Sequence, residues 1–281
     1  EGRFDDLIAY GGWTMDDHHP AGFLTTEPPT IWHPAPSPYG IPYRCLYSRN
    51  IANLMFAGRN ISATHSALSS TRVMATCAMM GQAVGTAAAI AIRDGLMPRG
   101  VYEQRIGELK QTLIQDDCYL PWNKREGTPL MQTVNITGSG DVSMLIDGVE
   151  RPVDGVDHAY VCHPGEEIRL TLPQPTQLSA LRMVTDSDLN RETFPENIEH
   201  NWKIFPMKCH VRLGAADVRV PATILRDFEV YADGRLVCAG TNNYQRLVKI
   251  PLNLTAKEIT LVPRATWGAE QVRLYALELM D

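Results

Sequence analysis

The sequence has no Cys-x-x-Cys pair, no long basic run and no apolar leader among its opening residues. The first two absences each argue against a class of protein. The six cysteines, Cys45, Cys77, Cys118, Cys162, Cys209 and Cys238, are too scattered for zinc-ribbon or thioredoxin-type spacing. They are expected to be buried thiols, with a disulfide left open, so they assign no compartment. Lys and Arg number 26 against 32 Asp and Glu, a formal net charge of -6. A nucleic-acid binder concentrates basic charge on one face, so no nucleic-acid partner is expected. The chain opens Glu1-Gly2-Arg3-Phe4 without an initiator Met. The expectation is a piece of a longer protein, or a processed end.

What is present is ordinary globular material: 281 residues, 44% hydrophobic and 21% charged. That length allows one large domain or two ordinary ones with a sizeable core. Val73–Ile92 is a run of 20 residues without a charge, flanked by Arg72 and Arg93, with Gly81 and Gly85 at GxxxG spacing. Its length would span a bilayer. Its Ala, Gly and Thr content, its Gln82 and its few large aliphatics argue against insertion. The expectation is a helix buried on most sides within a globular domain, and no membrane.

The chain divides by pattern into residues 1–125 and 126–281, with the break between Asp117 and Pro129. In the first part, Asn53–Gly58 predicts a short strand ending in glycine. Thr71–Arg93 predicts one long helix stopped by Gly95, Pro98 and Gly100. Val101–Gln115 predicts an amphipathic helix carrying Ile106, Leu109 and Leu113 on one stripe. The proline-rich stretch 25–43 reads as an extended loop outside the core. In the second part, strands are expected at Leu130–Ile136, Glu167–Leu172, Gln177–Val184, His210–Leu213, Asp227–Ala232, Leu236–Ala239, Tyr244–Ile250 and Lys257–Val262. Short, evenly spaced strands predict a β-sandwich. Asp233-Gly234 marks a tight hairpin.

The strand, the polar loop after it and the long helix form the segment most suited to chemistry. A helix opening at Ser70, Thr71 and Arg72 presents free backbone amides and the positive end of its dipole, which favour an anion. Small residues at Gly81, Ala83, Gly85 and Ala87–Ala89 would let that helix lie close to a sheet or a cofactor. A tightly packed α/β unit without a ligand accounts for the same pattern.

Across residues 5–95 the chain resembles the C-terminal part of FAD-dependent oxidoreductases, relatives of the fumarate reductase and succinate dehydrogenase flavoproteins. The matching motifs are Gly11-Gly12-Trp13-Thr14-Met15-Asp16-Asp17-His18-His19-Pro20, Pro42-Tyr43-Arg44-Cys45-Leu46-Tyr47, Asn53-Leu54, Ala57-Gly58-Arg59-Asn60-Ile61-Ser62, His65, Ser70-Thr71-Arg72-Val73-Met74, and Gly81-Gln82-Ala83-Val84-Gly85-Thr86-Ala87-Ala88. The resemblance implies an α/β fragment of an FAD-binding Rossmann-like domain. It places Gly58, Arg59 and Asn60 by the ribityl and pyrophosphate of FAD. It places Ser70, Thr71, Arg72 and Val73 by the isoalloxazine ring. One departure stands out: no GxGxxG follows a strand, and no acidic residue lies about twenty positions beyond one. The first βαβ unit, with most of the adenosine site, is therefore expected from a missing N-terminal half or a second chain, and this chain alone is an incomplete enzyme.

Hydride transfer from a hydroxyl-bearing substrate to FAD also needs a proton acceptor near neutral pH, a role suited to histidine. His65, His18 and His19 are the candidates, with Arg72 to hold an anionic substrate or the flavin edge, and Arg44 behind it. Hydrogen-bonding or surface roles remain the alternative for each. Asp16, Asp17, His18 and His19 could suggest a metal, but adjacent histidines seldom share one ion, and none is expected. The second part resembles galactose-binding-like jelly rolls through Leu145-Ile146-Asp147-Gly148, Glu167–Leu172 and Leu181–Asp188. That implies an all-β jelly-roll sandwich, in which Asp147, Asp154 and Trp267 could line a sugar site or serve turns and core. Two functions follow. One is a flavoprotein piece that oxidises an organic small molecule, a sugar hydroxyl among the candidates. The other is a carbohydrate-binding or interaction module without intrinsic activity.

Overall fold

The computed structural model describes residues 2–188, 198–201, 207–211 and 220–281. Two compact units emerge, one built from residues 2–123 with 198–201 and 207–211, and one from residues 124–188 and 220–281.

The first unit opens with β1 (Leu7–Gly11) and β2 (Met15–His18), followed by β3 (Thr30–His33) and β4 (Tyr39–Pro42). β1 pairs antiparallel with β4, and β2 with β3. Three helices follow: α1 (His65–Thr71), α2 (Met74–Asp94) and α3 (Pro98–Gln115). α2 buries Thr76, Met80, Ala83, Ala87, Ile90 and Ala91, spaced three and four apart along one face. α3 buries Val101, Leu109, Leu113 and Ile114. These stripes close over Leu7, Ile8, Ala9, Ile41, Tyr43 and Leu46 in one core. Gly95 in the left-handed region ends α2, and the Leu96 amide bonds back to the Ala91 carbonyl at 2.8 Å. Pro98 at the first helical position of α3 gives up only an amide that had no helical partner.

Several expectations need correction here. The long helix expected over Thr71–Arg93 is α2, which starts only at Met74, because Val73 is extended (φ −73, ψ 149) and separates it from α1. Thr64 caps α1, its hydroxyl accepting from the Ala67 amide at 3.2 Å, so a helix starts well before Ser70. Asn53–Gly58 is no strand: Met55 makes one isolated bridge to Tyr47, and the Leu54 amide is spent on a local turn to Ile51. The stretch 25–43 is not all loop, since β4 places Ile41 in the core and Tyr43 follows it there. Finally, α2 is buried on one side only. Met74 is 89% exposed and Ile92 83%, and Ala75, Ala78, Gly81, Gly85 and Ala89 share that open face. By length and composition alone this helix could cross a membrane, but its core face packs on β1 and α3 within the unit. Among the described residues of this unit every strand pair is antiparallel, so it does not by itself form a parallel nucleotide-binding sheet.

The second unit is a seven-stranded antiparallel sheet. Its members are β5 (Asn135–Thr137), β6 (Tyr160–Cys162), β7 (Ile168–Thr185), β10 (Leu225–Ala232), β11 (Arg235–Gly240), β12 (Leu247–Thr266) and β13 (Val272–Met280). A hairpin counted with the first unit pairs β8 (Ile198–Asn201) with β9 (Met207–Val211). Residues 212–213 of the expected strand His210–Leu213 lie outside the described residues. β7 and β12 run side by side almost throughout, with the register slipping between Ala256 and Glu258 opposite Pro173 and Pro175. Proline donates no ladder hydrogen bond, so the sheet bends at that point. Leu170 before the bend and Leu181 after it then share one core with Phe228, Leu261 and Leu277. The sheet thus folds over itself into two packed layers. What read as four strands, Glu167–Leu172 with Gln177–Val184 and Tyr244–Ile250 with Lys257–Val262, is two long ones. Leu130–Ile136 is mostly a 3-10 turn at Met131–Thr133 leading into β5. Asp233 and Gly234 carry positive φ in the β10–β11 hairpin, as that turn requires.

Candidate functional site

Three of the sequence-predicted residues of the first unit, His65, Ser70 and Arg72, gather against the segment Trp13–Asp17. Ser70, near the end of α1, donates from Oγ to the Trp13 carbonyl at 2.5 Å and shares a 2.6 Å hydrogen bond with the Tyr39 hydroxyl. Burial pushes the Tyr39 phenol up, and its bond to Ser70 offsets part of that. Arg72 Nη2 donates to the Asp16 carbonyl at 2.6 Å and lies 3.7 Å from the Asp16 carboxylate. His65 opens α1 with Nε2 2.8 Å from Asp17 Oδ1. Two consecutive aspartates of β2 therefore clamp the two ends of α1. The sequence showed Asp16 and Asp17 but not what they hold, because Arg72 lies 56 residues from Asp16 and His65 lies almost as far from Asp17.

The helix terminus expected at Ser70 and Thr71 is a C-terminus. The free amides are one step further on. α2 starts at Met74 behind Val73, and no side chain caps it. Its first amides have no carbonyl within the helix to bond, and the positive end of its dipole sits there. Thr71 is buried beside this start, its hydroxyl without a hydrogen-bond partner. Gly58, Arg59 and Asn60 form a 3-10 turn before α1. Gly58 has φ +87, which any side chain would strain, and nothing lies within 4 Å of where its Cβ would stand. Arg59 and Asn60 are exposed. Together these groups offer uncapped amides, a cation and an uncharged helix face on open surface, a donor set that fits an anionic cofactor with a broad apolar ring system.

His18 and His19 fall outside this gathering. His18 Nδ1 pairs with the Thr30 hydroxyl across the β2–β3 hairpin at 3.2 Å, and His19 Nδ1 accepts from the Ala21 amide at 3.1 Å. Both do the work of turn and hairpin residues. Among the residues described, no group of three or more His, Cys, Asp or Glu could hold a metal ion. Cys45, Cys77, Cys118, Cys162 and Cys238 are free thiols.

In the second unit, Asp147 and Asp154 serve turns. Asp147 accepts from the Val149 amide at 2.8 Å and pairs with His158 at 2.5 Å, while Asp154 carries φ 51 in the tight turn joining Val153 and Val156. Trp267 differs. Its Nε1 donates to the Asn243 carbonyl at 2.6 Å, Arg226 lies 5.9 Å from its ring centroid, and part of the ring stays open to solvent.

The family model described as FAD dependent oxidoreductase matches residues 1–113. No curated protein matches the chain. Solved structures similar to it include the family 32 carbohydrate-binding module from Streptococcus pneumoniae EndoD, 13% identical with a TM-score of 0.37, covering 54% of this chain and 98% of that one. A family 32 module from C. perfringens NanJ in complex with galactose is 11% identical with a TM-score of 0.36, covering 53% and 95%. The lectin domain of lectinolysin complexed with Lewis B antigen is 10% identical with a TM-score of 0.37, covering 56% and 98%.

Proposed function

We propose that residues 2–123 supply one half of the flavin site of an FAD-dependent oxidoreductase, and that a nucleotide-binding Rossmann-like half completes it. The observation that carries this reading is the uncapped start of α2 at Val73–Met74, set beside the Gly58–Asn60 turn within the stretch the FAD dependent oxidoreductase family model matches. Val73 and the first amides of α2 would face the electron-rich edge of the ring, with Thr71 behind them and Ser70 fixing the end of α1. Arg59 and Asn60 would meet the ribityl–pyrophosphate stretch. The bound flavin supplies the hydride acceptor.

The chain's own contribution is to place a substrate and move a proton. His65 is the base of this reading. With Nε2 turned to Asp17, Nδ1 is the nitrogen left to take the proton of a substrate hydroxyl. Arg72, braced by Asp16, orients an anionic substrate or the flavin edge. The completing half has a surface to meet: the open face of α2, together with Phe23 and Leu24, which stand fully out in solvent. Large exposed apolar groups of this kind mark contact surfaces. Mixing the chain with such a half and FAD, followed by gel filtration and absorbance in the flavin bands, tests the reading. Co-eluting flavin that is lost with Met74→Glu supports it. No bound flavin under any reconstitution sinks it.

A second reading rests on Trp267. A partly exposed indole held in place by its own N–H, with Arg226 at the start of β10 and Tyr244 in the loop before β12, can stack on the apolar face of a sugar ring. Glycan-array binding that disappears in Trp267→Ala would support a carbohydrate-binding role. An array without signal removes it.

A further inference from the structure

Away from α2, the first unit holds a cleft of about 550 Å³, within the size range of small-molecule sites. Its wall carries three arginines, Arg44, Arg49 and Arg99, and three aromatic rings, Tyr47, Phe56 and Tyr102, and no carboxylate lines it. Like charges gathered round one cavity repel one another unless an anion sits between them. Arg44 has a partner outside the cleft, since the buried Asp6 holds its guanidinium at 3.1 Å and its amide at 3.0 Å. Arg49 and Arg99 have no carboxylate partner among the described residues. Arg99 also sits in the first turn of α3, where the helix dipole disfavours a cation and no acidic residue compensates. Its guanidinium rests 5.8 Å from the Tyr47 ring centroid, which points it along the aromatic wall.

Guanidinium groups match the paired oxygens of a phosphoryl group, and three of them suit a dianion better than a single carboxylate. The rings beside them suit a planar or apolar remainder. We propose that this cleft binds a small organic phosphate, with the phosphoryl group among Arg44, Arg49 and Arg99 and its organic part against Tyr47, Phe56 and Tyr102. The cleft borders the Gly58–Asn60 turn, with Phe56 and Ser62 in its wall, and filling it needs no flavin.

Phenyl phosphate is the probe, titrated into the whole chain by calorimetry beside phenol and benzoate. The expected result is saturable binding of phenyl phosphate that weakens as salt rises, with weaker benzoate binding and no phenol binding. Arg49→Ala and Arg99→Ala should each weaken it about tenfold, the worth of one charge-assisted hydrogen bond. Both side chains are exposed, so an unchanged melting curve keeps folding out of the comparison. No saturable binding, binding untouched by both substitutions, or benzoate binding as tightly as phenyl phosphate would each overturn the proposal. Competition by FAD would also overturn it, by making the cleft part of the cofactor site. The phenyl phosphate titration itself uses no flavin, so its failure leaves the flavin reading standing.

Discussion

Arg182→Met should cost the second unit several kcal/mol, for a reason visible in four distances. Arg182 on β7 and Glu278 on β13 are register partners, and both are 0% exposed. Arg182 reaches Glu150 through Nη1 at 2.6 Å and Nη2 at 2.9 Å. Arg125 reaches Glu150 through Nε at 2.8 Å and Glu278 through Nη1 at 2.8 Å. The four residues carry two charges of each sign. Methionine keeps much of the volume of Arg182 but removes one cation, leaving the buried group with a net negative charge and Glu150 Oε2 without its Arg182 bond. Breaking a buried pair from one side costs about 3–5 kcal/mol, because the remaining charge stays desolvated. For a unit of this size roughly 3 °C of melting temperature corresponds to each kcal/mol, so the transition should fall by about 10 °C or more. Calorimetric and urea melts of the whole chain would measure it. Adding Glu150→Gln restores charge balance, leaving Arg125 with Glu278, so the double variant should lose less than the two single losses added together. A single loss below about 1 kcal/mol, or strict additivity, would refute the claim that these charges act as one balanced group.

Other outcomes follow from the first unit and from the thiols. Asp17→Asn should slow flavin reduction in the reconstituted enzyme by about one to two orders of magnitude. Because His65 is largely exposed, the same change should move stability by no more than about 1 kcal/mol; a large stability loss with unchanged rate would make the pair structural. Gly58→Ala should cost about 1–2 kcal/mol from its positive φ alone, as no neighbour obstructs the added methyl group, and a neutral result in a urea melt would refute that. Burial, with Glu166 adding to it, pushes the Cys162 thiol up to about 11 from 9.0. The folded state thus holds this proton more tightly than the unfolded state, so the stabilisation is complete below pH 9 and is lost as pH rises towards 11. Cys162→Ala should flatten that part of the stability–pH curve, and a curve of unchanged shape would count against the assignment.

The parts of the fold legible in the sequence were those with local causes. α3 was readable from its stripe, the β10–β11 hairpin from Asp233-Gly234, and the end of α2 from Gly95. The failures have tertiary causes. β13 went unread because Val272–Met280 is buried on both faces between β7 and β6, so it shows no alternation, and its Ala, Leu, Glu and Met are good helix formers. β7 was cut in two by Pro173 and Pro175, which sit where the ladder already slips. At the candidate site, the residue types were readable but their arrangement was not. His65 and Arg72 stand seven apart on one short helix, and only the folded chain shows Asp17 and Asp16 meeting them.

The α2 helix shows how composition and structure answer different questions. Twenty uncharged residues suggest a helix that avoids water everywhere, and a core helix or a membrane span would satisfy that equally well. The structure assigns water-avoidance to one face only, through Met80, Ala83 and Ala87, which are fully buried. On the other face Ala75, Ala78, Gly81, Gly85 and Ala89 stand between Met74 and Ile92, and Gly81 and Gly85 have nothing within 4 Å of a built Cβ. Small residues stabilise no fold by being exposed; glycine in a helix costs about 1 kcal/mol relative to alanine. Two such glycines on an open helix face make physical sense where something else must approach the backbone closely. The start of that same helix is the uncapped end at Val73. A second surface arriving there would cover the apolar face and enclose the free amides together, which joins the docking of a completing half and the binding of the cofactor in one event.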